Sequence, residues 1–173
     1  MKTKKECSVR NYLQGVPYYG QSSTDMSCGY YCALMLRVAV QGKKFYEEWC
    51  NNTAKGLPEL CEALDNPVLI KDLHKKLIDI VEPKIVKRDV VNKLKEALKK
   101  GRPSILLLPS SLTFPDGHYV VVKGYIIEKS PKGEKHMFIV NDPLFGESYV
   151  SAEDGYHVKE KTEAIVSKRK VKG

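Results

Sequence analysis

The chain has 173 residues, 42% of them hydrophobic, enough to bury one core without a structural metal or disulfide staples. Lys and Arg outnumber Asp and Glu by 29 to 21, a formal charge of +8 that favours acidic partners without specifying a fold. No stretch reaches the roughly 20 apolar residues of a membrane span, and no Gly-rich phosphate loop, zinc-finger spacing or aromatic RNA-binding stripe accompanies the charge, which disfavours transmembrane and nucleic-acid roles.

Residues 1–15 are polar and charged and read as a basic tail (Lys2, Lys4, Lys5), matched near the other end by Lys168, Arg169, Lys170 and Lys172. The opening MKTKKECSVRNYL has no apolar run able to act as a secretory signal, and the five cysteines (Cys7, Cys28, Cys32, Cys50, Cys61) are odd in number and irregularly spaced. The expectation is a reducing, cytoplasmic setting.

An extended stretch over 16–19 leads into a loop of small polar residues that includes Gln21. From Cys28 to Gln41 the run CGYYCALMLRVAVQ is apolar on nearly all sides, with Ser27 placed as a cap and Gly42 as a stop, the pattern of a buried central helix. Amphipathic helices are expected near 44–51, 58–64 and 69–80, the last with Ile70, Leu73, Leu77 and Ile80 on one face. Asp89 is placed to cap VVNKLKEALKK, which stops at Gly101.

The pattern then turns to strands: 104–108, 118–127 and 136–141, with PKG as a turn between the last two. Helices first and strands second predict an α+β fold, a central buried helix packed on a small antiparallel sheet, in a single domain over 1–173 with short basic tails.

A cysteine becomes nucleophilic where its thiolate is stabilised, and a helix start does this through unpaired N–H groups and the positive end of the macrodipole. Cys28 occupies such a start, whereas Cys32, one turn further in, reads as a small buried hydrophobe. The Gln21 amide lies seven residues before Cys28, within reach of the space beside the sulfur, where with the Cys28 N–H it forms a candidate oxyanion hole. His118 opens a strand just after Pro115, Asp116 and Gly117, the placement a general base needs; His136 and His157 compete for the role, but His136 follows a charged turn and His74 lies on an amphipathic helix, so neither of those two has the same setting. Asp142 ends the third strand beside the start of the His118 strand and is the preferred group to orient the imidazole, with Asn141 as the alternative on the opposite face. A zinc site built on Cys28 and Cys32 has no His at module spacing, and no cofactor is expected.

The segments VPYYGQSSTDMSCGYYCALML, EALKKGRPSILLL, GHYVVVKGY and IVNDPLFG together resemble the papain-like cysteine peptidases that process double-glycine leaders in bacteriocin export, and their stand-alone relatives. The likeness runs from Val16 to Gly146. It implies a papain-like fold and a peptide or protein substrate, with Cys28 as nucleophile, Gln21 in the oxyanion hole, His118 as base and Asp142 as the orienting acid. Relatives in which the site has decayed supply the alternative, a non-catalytic peptide-binding domain, against which the intact set of four residues argues.

Overall fold

In the computed structural model the described residues are 5–21, 28–42, 68–109, 117–152 and 162–172. They form three helices, α1 (Cys28–Gln41), α2 (Ile70–Val81) and α3 (Val90–Lys99), and seven strands, β1 (Glu6–Arg10), β2 (Lys84–Val86), β3 (Ser104–Leu108), β4 (His118–Ser130), β5 (Gly133–Asp142), β6 (Gly146–Ser151) and β7 (Glu163–Val166). The helices expected near 44–51 and 58–64, the Ser27 cap and His157 lie outside the described residues.

All seven strands join one antiparallel sheet in the order β2-β7-β3-β4-β5-β6. Strand β4 is long enough to take two neighbours on one edge: β3 pairs with its first half and β1 with its second, from Tyr125 to Lys129. A mixed α and β composition therefore holds, but helices and strands are interleaved: β1 precedes every helix and β2 separates α2 from α3. The sheet is also larger than three strands. The missed strands are short or charged (Glu6 and Arg10 in β1, Lys84 in β2, Glu163 in β7), so period-two alternation scarcely shows in them.

Strand alternation sends one set of side chains to each face. Ile105, Tyr119, Val121 and Ile165 form a cluster with Cys32, Met35 and Leu36 of α1 and Leu73 and Leu77 of α2. Leu106, Val120, Val122, Phe138 and Val140 form the other cluster with Val90, Leu94 and Leu98 of α3. The first nine residues of β4 are buried without interruption, as expected of a strand covered on both faces. A register shift between Val122 and Gly124 marks the midpoint of β4, and the buried Lys123 there is neutralised by Glu147 at 2.8 Å.

Two local expectations change. Asp89 lies in the left-handed region and makes no side-chain cap; its carboxylate instead accepts from the Asn92 amide at 2.9 Å. The basic segment after β7 keeps exposed side chains, but its backbone is docked: the N–H groups of Lys168, Val171 and Lys172 donate to Val81, Gly101 and Ala39 oxygens. Those acceptors stand at or just past the C-terminal ends of α2, α3 and α1, where cationic side chains complement the negative end of each macrodipole. Among the described residues no helix is long and apolar enough to cross a membrane.

Candidate active site

Cys28 is the first residue of α1, half-buried and in no disulfide. Its thiol meets His118, the first residue of β4, in a side-chain hydrogen bond. His118 is 3% exposed, and its Nε2 lies 2.7 Å from Asp142 Oδ1. The sheet register accounts for the pairing: Val121 sits opposite Asn141, so Asp142 falls against Val120 and shares a face with His118, its diagonal neighbour.

Asp142 is itself held. Its Oδ1 also accepts the Leu144 N–H at 2.9 Å and the Phe145 N–H at 3.4 Å, so the turn after β5 fixes the carboxylate that faces the imidazole. Burial alone would push the His118 pKa down. The hydrogen bonds and charges of Asp142 and Cys28 outweigh it and raise the imidazole from 6.5 to about 9, so the ring carries its proton at neutral pH.

Gln21 reaches the same end of the sheet through its backbone, whose N–H donates to Pro143 O at 2.7 Å; the side-chain Oε1 is enclosed. Tyr18 Oη donates to the same Pro143 oxygen at 3.1 Å, and Asn141 Nδ2 donates to Pro17 O at 2.9 Å. Residues 17–21 are thus fastened along the end of β5, and Asn141 serves that fastening rather than the imidazole. Residues 22–27, between Gln21 and Cys28, are not among those described.

The competing residues are elsewhere. Cys32 is fully buried, and burial, with Cys28 and Asp142 adding to it, pushes its thiol well above the ordinary range. His74 contacts Pro83 O at 2.9 Å, and His136 lies between Tyr125 and Glu134. No cluster of three or more His, Cys, Asp or Glu able to hold a metal occurs among the described residues.

Three residues support the site in ways that sequence reasoning did not assign to them. A Cβ on Gly29 would stand inside van der Waals contact of Val68 Cγ1 and 3.1 Å from the Tyr119 ring. Tyr119 is buried beside His118 in sequence and donates its hydroxyl to Val68 O at 2.8 Å, so one strand residue carries the imidazole and the next braces the start of the helix that carries the sulfur. Gly117 has φ +82, and a Cβ there would lie 2.7 Å from Leu108 O, so only glycine lets the chain turn into β4 at His118. The dipeptides Cys28-Gly29 and Gly117-His118 are the visible trace of both constraints.

No match was found among curated proteins. The family described as Peptidase_C39 like matches residues 13–165, which takes in α1, both core clusters and every residue of the site, and the chain belongs to that family.

Proposed function

We propose that this protein is a thiol hydrolase of peptide or amide bonds, built as a single papain-like domain over 1–173 and working in the cytoplasm. The observation that carries the reading is His118 hydrogen-bonded at once to the Cys28 thiol and to an anchored carboxylate, Asp142, at the first turn of a helix. Membership of a peptidase-like family supports a peptide substrate.

In the first half-reaction Cys28 sulfur, having given its proton to His118, attacks the carbonyl carbon. The carbonyl oxygen gains negative charge and is held by the Cys28 N–H and the Gln21 amide. The C–N bond breaks as the His118 imidazolium passes its proton to the leaving amine, leaving a thioester. Neutral His118 next takes a proton from water, the hydroxyl adds to the thioester, and the carboxylic acid departs as the thiol is restored. Asp142 holds the ring and stabilises its cationic form.

Turnover of a peptide library by wild type, Cys28→Ala and Gln21→Ala tests this. Cys28→Ala should abolish cleavage, and Gln21→Ala should lower the turnover number by ~100-fold with ground-state affinity nearly unchanged, since that interaction forms in the transition state. Tight binding with no cleavage that depends on Cys28 would turn the reading into a peptide-binding domain.

A further inference from the structure

On the face of the sheet covered by α3, away from the Cys28 cluster, a cleft of ≈ 390 Å³ opens between α3 and the paired strands β1 and β4. Its walls carry three cations, Arg10 from β1 and Lys95 and Lys99 from α3, with the amides Asn11 and Asn92 beside them. The one acid in the wall, Glu96, is already engaged by Lys100 at 3.1 Å, and among the described residues none of the three cations belongs to an ion pair. We propose that this cleft binds an extended peptide segment bearing acidic residues at alternate positions, a docking site separate from the Cys28 centre and independent of its chemistry.

The spacing favours that ligand. Lys95 and Lys99 are one helical turn apart, so their Cβ atoms stand ~6 Å from each other, and carboxylates on residues i and i+2 of an extended chain are separated by about 6.6 Å. Arg10 faces them from the neighbouring strand, opposite Tyr125 in the β1 to β4 register. The floor is apolar and fixed: Ile127 lies along it, and Tyr125 is buried, its hydroxyl bonded to His136 and its ring under the Lys95 ammonium at 4.7 Å. A cation held over a ring loses less freedom when a carboxylate arrives. Strand β1, which contributes Arg10, pairs with β4 alone among the described strands, so its other edge offers main-chain groups to an extended chain. Nucleic acid fits less well, because the aromatic ring in the cleft is buried and presents no face for a base to stack on.

The test is fluorescence anisotropy of a short labelled peptide of alternating Glu and Ser, titrated with the full chain at low ionic strength. Combined Arg10→Glu, Lys95→Glu and Lys99→Glu should weaken binding by tenfold or more, as expected when several charge contacts are reversed together (roughly a factor of ten per 1.4 kcal/mol). Reversing three exposed lysines elsewhere, Lys71, Lys75 and Lys84, changes net charge equally and should alter affinity by less than about twofold. Circular dichroism and thermal melts establish that both triples are folded; were the first unfolded, Lys99→Glu alone, at an exposed position, should still weaken binding about threefold. Equal losses in the two triples, absence of binding by wild type, or tighter binding of a labelled single-stranded RNA that responds to the first triple would each overturn the proposal.

Discussion

Strands β4 and β5 carry two imidazoles, each set between a carboxylate and a protic side chain. At one end His118 joins Asp142 to the Cys28 thiol; at the other His136 joins Glu134, at 3.1 Å, to the Tyr125 hydroxyl. The two chains of hydrogen bonds look alike on paper, and the surroundings separate them. Asp142 is buried and held by two backbone N–H groups, whereas the Glu134 side chain is 51% exposed and is also drawn toward Lys129 at 3.6 Å. Exposed carboxylates are screened by water and contribute little, while an anchored, buried one sets the state of its partner. A carboxylate beside a histidine is therefore not by itself a site; burial, backbone anchoring and a helix start distinguish the first from the second.

The largest expected effect breaks the comparison at its carboxylates. Asp142→Asn should reduce turnover by about 10²- to 10⁴-fold, because the imidazole loses its charged orienting partner, whereas Glu134→Gln should leave turnover within about twofold. Steady-state kinetics at matched thermal stability decide it, and similar losses in both variants would erase the distinction.

A middling effect comes from the brace on the helix start. Gly29→Ala places a methyl against Val68 and Tyr119, and the shift needed to admit it should cost about 1–3 kcal/mol of stability and slow alkylation of Cys28 by iodoacetamide at about pH 6, where an ordinary thiol is almost wholly protonated. Cys7, exposed on β1, serves as the internal reference. Alkylation of Cys28 at the wild-type rate in a folded Gly29→Ala protein would remove the brace from the account.

The smallest effect is on stability against pH. His118 is raised from 6.5 to about 9 in the folded chain, so its contribution is complete below about pH 6.5 and is lost as the pH climbs through about 9. Urea unfolding across that window should show stability falling with pH in wild type and a flatter profile in Asp142→Asn. A wild-type profile as flat as the variant's would contradict the raised imidazole.

Much of the central frame is legible from pattern alone. The apolar run after Cys28, the amphipathic stretch around Leu73 and Leu77 and the continuous apolar run after His118 each declare their element, because burial on both faces or on one stripe leaves a period in the sequence. Alternation also separates Asp142 from Asn141, and the sheet register has them on opposite faces. Illegible are the strands whose pairing is decided at long range. Glu6 to Arg10 becomes a strand only because Tyr125 to Lys129 of β4 runs on past β3, whose pairing ends at Val122, and presents a free edge, and Glu163 to Val166 because β2 and β3 flank a vacant lane. The fastening of residues 17–21 by Asn141 and Pro143 depends on contacts more than a hundred residues apart, which no local window contains.

Strand β7 fills the lane between β2 and β3, and the residues just after it tie down the ends of α1, α2 and α3. Read as an order of events, this gives the polypeptide a clock. A chain emerging from the ribosome at about 5–20 residues per second has already exposed Cys28, His118 and Asp142 when the lane is still empty. The sheet cannot close and the helices cannot be clamped until the stretch from Glu163 to Lys172 is free. Cys28, His118 and Asp142 are thus made before the strand and the clamp that complete the frame around them.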